Sequence, residues 1–349
     1  MGLSDQRADI AFLTALLRHG NLEKIEIPVT EELGNTEGHW FARSIADLDL
    51  KRKQADFEEI DGRAPPSTSP EDRSMTCDIL VVCPLAKEQE MTCLAFDQDP
   101  NAPSGQVEGT KEYRFSHPVP HRETQLEIVI SCLNRQTNLN AGPRTAFLLK
   151  RHDPKFAILT GIGATFPKKA PLGHVVGGFL THYTEGGVRT EAGKLPRPIP
   201  FEVDDRYETL LEGFDNVTDR NSWKEQMLAK SMELRKLIDY QVPTKAEMGK
   251  AKIGFSMKAI MSGEELLKHG GAEADAQEID QRIKSAEMEA AGFAAACKGR
   301  VPWLVFRGHC DHADPDKDDK WQRIAALNSA LCVRSFLETE FLLPAELTF

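Results

Sequence analysis

After residue 75 the chain alternates short apolar runs with stretches whose apolar positions recur every three or four residues. The runs Asp78–Cys83, Gln125–Cys132, Phe156–Thr160, Val175–Thr181, Ile253–Met261 and Trp303–Phe306 read as buried strands. Helical spacing appears near 87–96, 142–152, 222–238, 286–298 and 319–339. Strands that alternate with helices need both sheet faces covered, so the expected fold is a three-layer α/β/α sandwich with a central mixed, twisted sheet. The pattern before residue 62 differs. Ile10, Leu13, Leu16 and Leu17 form one helical stripe, and Trp40, Phe41, Ile45 and Leu48 suggest a second, which predicts a small, mostly helical N-terminal segment. Between the two patterns, residues 62–75 hold paired prolines and small polar residues and read as an extended linker. The expected division is an N-terminal helical interaction module at 1–61, a linker at 62–75 and a main domain at 76–349. Some 60 residues are marginal for independent folding, so the module is expected to dock through its Ile10–Leu17 stripe on a neighbouring subunit or a regulatory protein.

Composition narrows the function. The chain has 349 residues, 40% of them apolar, enough for a large core. Its 54 acidic and 43 basic residues give a net charge of −11, which argues against nucleic-acid binding, since duplex affinity rests largely on Lys and Arg. No stretch approaches the roughly 18 apolar residues of a membrane helix, and Met1–Leu17 has acidic residues where a signal peptide would have a basic start. Seven cysteines without a C-x-x-C pair fit a reducing compartment, so a cytoplasmic location with no membrane association is expected.

Four segments carry candidate chemistry. In I-L-V-V-C-P-L-A-K-E-Q-E-M a buried strand breaks at Pro84 and enters a helix at Glu88, while Glu90, two residues on, points elsewhere. A-I-L-T-G-I-G-A-T-F ends a strand in a glycine-rich turn at Gly161, Ile162 and Gly163, where backbone N–H groups can approach a ligand. M-S-G-E-E-L-L leaves a strand and places Leu266 beside the turn that follows. In S-A-E-M-E-A-A-G-F-A-A-A-C-K-G, Ser285 reads as an N-cap, Glu287, Met288 and Glu289 as the first helical turn, and Gly299 as the helix stop. The strand Pro302–Phe306 then delivers Arg307 and Asp311 to its C-terminal edge, where open α/β sheets bind ligands. His309, Cys310, Asp311, His312 and Asp314 could each ligate a metal, but consecutive residues rarely converge on one ion and no metal site is expected. No G-x-S-x-G elbow is present.

Together these segments resemble the purine nucleoside phosphorylase and uridine phosphorylase superfamily, most closely its methylthioadenosine/S-adenosylhomocysteine nucleosidase branch. The resemblance covers roughly residues 77–340. It implies that Glu88 activates water, that Glu289 binds the ribose hydroxyls with Met288 beneath the sugar and Glu287 alongside, and that Asp311 protonates the purine at N7. It places Gly161, Ile162, Gly163 and Arg307 near the sugar, and Leu266 against the base where the family has an aromatic residue. Cys310 stands where the family has Ser. The implied activity is hydrolysis of the N-glycosidic bond of a purine nucleoside or nucleotide, with no metal or organic cofactor, in a homodimer or higher homo-oligomer. Lys168, Lys169 and Arg144, near the glycine turn in sequence, are candidate phosphate contacts for a nucleotide substrate. A phosphate-dependent phosphorylase and a non-catalytic nucleotide sensor are the alternatives. An added N-terminal module is similar to the architecture of superfamily members that act as regulated effectors, some in antiviral defence.

Overall fold

The computed structural model describes residues 76–347, except 121–122, 167–170, 192, 217–219, 238–241, 251–253, 266–270 and 314–318. The expected N-terminal module, the linker through residue 75, Leu266, Lys168 and Lys169 therefore lie outside the described residues.

The apolar run after the linker forms β1 (Cys77–Cys83), which is buried almost throughout and flows into α1 (Ala86–Ala95). A hairpin of β2 (Gly105–Val107) and β3 (Thr110–Pro118) then leads to β4 (Gln125–Cys132) and α2 (Asn138–His152). Next come β5 (Pro154–Thr165) and β6 (Val175–Tyr183), then the hairpin β7 (Gly187–Thr190) and β8 (Gly193–Pro196), and β9 (Ile199–Glu202). Helices α3 (Asp205–Asn216), α4 (Arg220–Leu234) and α5 (Lys245–Lys250) precede β10 (Phe255–Ser262). The chain closes with α6 (Ala272–Ile279), β11 (Ile283–Glu287), α7 (Ala290–Cys297), β12 (Trp303–Asp311) and α8 (Gln322–Thr339).

Ten strands form one sheet in the order β11-β10-β6-β12-β5-β1-β4-β3-β2, with β9 added on β6. The β4, β1, β5 and β12 strands are mutually parallel, which needs crossover connections between them, whereas β6 runs against β12 and β3 against β4, which makes the sheet mixed. The expected sandwich is observed, with one addition. Ser285 and Ala286 of β11 pair antiparallel with Thr165 and Ala164 at the far end of β5, so β5, β12, β6, β10 and β11 curl into a closed ring. Ring closure turns the C-terminal ends of β5, β11 and β12 toward one another.

The central strands are buried on both faces, so Ile79, Val81, Ile158, Leu304, Val305 and Phe306 are all fully enclosed. Each such side chain contributes roughly 1.5–3 kcal/mol on leaving water. On one side α8 packs on β12, β5 and α1, and Phe306 meets Phe336 of α8 at 5.8 Å between ring centroids. On the other side α2 lies against α7. That contact is close because Gly292 of α7 has no Cβ: one there would sit 2.3 Å from the Asn138 carbonyl oxygen. The run of alanines in α7 serves the same close packing, and Gly299 at φ +74° ends the segment as expected.

Candidate active site

Glu88 lies in the first turn of α1 and is fully buried. Because β1 delivers the chain to the sheet's C-terminal edge before Pro84 breaks it, the carboxylate returns over the end of the neighbouring β5. Its Oε2 accepts the Leu85 N–H at 2.7 Å and its Oε1 accepts the Ile162 N–H at 2.7 Å. Burial raises its pKa, opposed by the Arg307 charge and by those two amides. Glu90 faces the other way and pairs with Arg323, as its spacing predicts.

Gly161, Ile162 and Gly163 lie within β5 and not in a turn beyond it. The strand continues because Ser285 and Ala286 supply it with backbone partners on a side that a simple open sheet would leave free. The glycines are nevertheless needed. A Cβ on Gly161 would fall 2.4 Å from Glu88 Oε1 and 2.7 Å from Arg307 Nη1, and one on Gly163 would fall 2.9 Å from Ser285 Oγ.

The E-M-E segment also corrects its expected structure. Ser285 does not cap a helix: it is a strand residue whose hydroxyl donates to the Ala164 carbonyl at 3.4 Å. Glu287 ends β11, Glu289 occupies the N-cap position, and α7 begins only at Ala290. The cap is supplied by Glu287, whose Oε2 accepts the N–H groups of Glu289 at 2.9 Å and Ala290 at 2.8 Å. A carboxylate on the first free N–H groups of a helix is favoured by both hydrogen bonding and the helix dipole.

Arg307 is the centre of the arrangement and is wholly buried. It lies inside β12, which runs on to Asp311 instead of ending at Phe306. Its Nη2 donates to Glu287 Oε2 and, at 3.2 Å, to Glu289 Oε2, while Nε and Nη1 have no hydrogen-bond acceptor among the described residues. Burial works against the guanidinium charge, yet Glu287, Glu289 and Glu88 together hold it firmly protonated. Three buried carboxylates share this one cation. Glu289 bears the imbalance: burial, with the charges of Glu287 and Glu88, outweighs Arg307 and the Thr137 N–H and pushes its pKa up to about 8. Glu287 Oε1 is likewise buried without a donor among the described residues.

Asp311 is buried at the end of β12, past a bulge that shifts its register against β5. Its Oδ2 accepts the Cys310 thiol at 3.1 Å and its Oδ1 the Ala313 N–H at 3.0 Å. His309 beside it is fully enclosed and burial drives its pKa well below the usual imidazole range, so it is neutral.

These groups converge on a cavity of about 380 Å³. Glu88, Ile162, Gly163, Glu287, Met288, Glu289 and Asp311 line it, while Gly161 and Arg307 form the layer behind. Gln136, on the loop entering α2, and Met261 and Gly263 at the end of β10 complete the wall. Arg144 is not part of it: it binds Glu108, the Val107 carbonyl and Thr110 on the outer side of α2. Gln136, and Thr137 behind it, escaped sequence reading because they lie in a loop of ordinary polar residues with no catalytic pattern. The one local signal is that Thr137 adopts φ +86°, a conformation a β-branched residue rarely takes and no sequence motif announces.

No family model matches the chain. ATP nucleosidase Cap17 of Escherichia coli strain KTE188 is 26% identical over 260 residues, which are 73% of this chain and 49% of that protein. The chain thus spans about half the length of this curated relative. Among solved structures, the 5′-methylthioadenosine/S-adenosylhomocysteine nucleosidase of Neisseria meningitidis superposes with a TM-score of 0.53 at 19% identity, covering 75% of this chain and 99% of that one. The futalosine hydrolase of Helicobacter pylori gives 0.54 at 16% identity, covering 75% and 98%. The described domain has the fold of the nucleoside phosphorylase and nucleosidase superfamily.

Proposed function

We propose that the chain is a purine N-ribosyl hydrolase. The observation that carries this reading is the group of three buried carboxylates, Glu88, Glu287 and Glu289, gathered on one buried Arg307 at the wall of a cavity that also holds Asp311. Crowding three buried acids on one guanidinium costs folding stability, and a ribose that develops oxocarbenium character is a ligand whose positive charge draws such acids into their ionised form.

In the proposed reaction the bond between the anomeric carbon and the purine nitrogen breaks while its electron pair moves into the base. Asp311, protonated, hydrogen-bonds to and then protonates purine N7, which makes the base a better leaving group. Glu289 accepts hydrogen bonds from the ribose hydroxyls, and Met288 walls the sugar. Water attacks the anomeric carbon and gives its proton to Glu88, whose ionised form the Leu85 and Ile162 amides and Arg307 favour against its burial. Arg307 acts from behind by holding Glu287 and Glu289 in place. The Cys310 thiol, a weaker donor than a hydroxyl, donates to Asp311 Oδ2 and helps to fix its carboxyl at the cavity wall.

Phosphorolysis is the second reading. Against it, the described cavity residues include eight carboxylates, Glu88, Glu185, Glu265, Asp275, Glu278, Glu287, Glu289 and Asp311, and no Lys, Arg or His to hold free phosphate. The same lining favours a nucleoside over a nucleotide, whereas the name of the Escherichia coli relative brings ATP into consideration. Incubating the full chain with adenosine, guanosine, AMP and ATP, with and without phosphate, and separating the products by chromatography tests the reading. Free base in phosphate-free buffer is the expected result; base only with phosphate would favour the phosphorylase, and no base from any of them would reject the reading.

The proposal extends to a homo-oligomer in the cytoplasm, with residues 1–61 as the interaction module. Among the described residues no helix is long and apolar enough to cross a membrane.

A further inference from the structure

Asn138, the first residue of α2, does not line the cavity, yet its side chain joins three of the elements that build it. Its Oδ1 accepts the Ser262 hydroxyl at 3.0 Å and the Gly292 N–H at 2.8 Å, while its Nδ2 donates to the Gly263 carbonyl at 2.9 Å. Ser262 Oγ in turn accepts the Ala291 N–H at 3.1 Å. The start of α2, the end of β10 and the first turn of α7 are thus bound by one buried amide. Both faces of that amide are used, so neither a carboxylate nor an aliphatic side chain of the same shape could replace it: the first lacks the donor to Gly263, and the second lacks everything.

The consequence falls on Glu289. Its Oε1 accepts the N–H of Thr137 at 3.4 Å, the residue directly before Asn138. Thr137 presents that N–H only while its backbone is held at φ +86°, which costs a non-glycine residue energy that its surroundings must supply. Asn138 is the anchor immediately next to this strained residue, and through Gly292, and through Ser262 to Ala291, it also fixes the helix turn that follows Glu289. One carboxylate oxygen of Glu289 is therefore set by Arg307 and the other by a loop that Asn138 holds. We propose that Asn138 is a positioning residue for sugar recognition, which aims the Glu289 carboxylate at the ribose hydroxyls through Thr137 and α7.

This inference rests on the assignment of Glu289 to the ribose, so its test separates the two. In a Glu88→Gln background, where turnover is suppressed, calorimetry measures the affinities of adenosine and 2′-deoxyadenosine. The parent is expected to prefer adenosine. Adding Asn138→Ala should weaken adenosine by ~10-fold or more and 2′-deoxyadenosine far less, because the lost aim affects only the hydroxyl-binding carboxylate. Ser262→Ala, which removes one arm of the junction, should reduce the preference less, and Asn138→Asp covers the case in which the alanine variant does not fold. Equal weakening of the two nucleosides, or an unchanged preference in the variants, would overturn the positioning role while leaving the Glu289 assignment intact. A parent that binds both alike, or neither, would overturn the assignment and this inference with it.

Discussion

Two of the buried charge clusters among the described residues are built to opposite rules. On the outer side, Glu112 of β3 lies 2.8 Å from His152 Nε2 and 3.7 Å from Arg151 Nε, with the Ser131 hydroxyl at 3.4 Å. Burial pushes its pKa up, but His152, Arg151 and Ser131 more than offset that and hold it below the usual carboxylate range. In the cavity wall burial wins instead: Glu88 and Glu289 are both raised, though Arg307 is close to each. The difference is one of count. One carboxylate with two basic neighbours is a structural tie, whereas three acids around one guanidinium exceed what a single cation can hold ionised. A surplus of buried acids with perturbed pKa values at a cavity marks a candidate ligand site.

Arg307→Met breaks the contrast most severely, since it leaves the cavity carboxylates with no cation. Removing one partner of a buried ionic group costs about 3–5 kcal/mol, so chemical denaturation near neutral pH should show a loss of that size along with loss of turnover. A variant as stable as the parent would mean that the carboxylates are already neutral without it.

Glu289→Gln separates the clusters by activity. Loss of a contact that strengthens in the transition state, worth about 3–4 kcal/mol, should lower kcat by hundreds-fold. Stability should move the other way. The pKa of Glu289 is raised in the folded state, so its contribution is complete below the unfolded carboxylate value and is lost as pH rises toward about 8. Above that pH the Gln variant should be the more stable protein in thermal unfolding, and a less stable variant there would show that the carboxylate is satisfied as an anion.

The sequence made part of this legible. Glu88 was readable because a buried strand, a proline break and a helix entry occur within thirteen residues, and Asp311 because an apolar strand runs straight into it. The helix start at Glu287 was misread: S-A-E-M-E satisfies every local rule for a capped turn, but pairing with β10 and β5 holds 283–287 extended. Tertiary pairing overrode local preference there, and the same pairing lengthened β5 through both glycines. Asn138 was invisible for a related reason. Its three partners lie more than 120 residues away in sequence, so only the fold brings them together.

Gly161→Ala tests the packing of the wall without touching its charge. The new methyl would displace Glu88 and Arg307, and a shift of about 1 Å in a reacting group costs up to ~100-fold in rate. Steady-state kinetics should show that loss, and thermal unfolding a destabilisation of about 1–3 kcal/mol from overpacking.

Glu112→Gln gives the smallest expected effect: no change in kcat and a loss of about 1–3 kcal/mol at pH 7, as a buried charge-assisted hydrogen bond is weakened. Because the folded pKa of Glu112 is depressed, its contribution is present above the unfolded value near 4.3 and is lost as pH falls through the folded one. Denaturation curves of parent and variant should therefore converge in acid, and curves that stay apart would assign the difference to packing.

The central claim is that water, activated by Glu88, attacks the sugar. The direct measurement is the yield of free purine and free ribose from a nucleoside in phosphate-free buffer, made side by side for the parent and Glu88→Gln at matched ligand occupancy. Equal amounts of base and ribose are expected from the parent, and a rate at least ~100-fold lower from the variant with nucleoside binding retained. Undiminished hydrolysis by Glu88→Gln, or a parent that yields base only when phosphate is supplied, would contradict it.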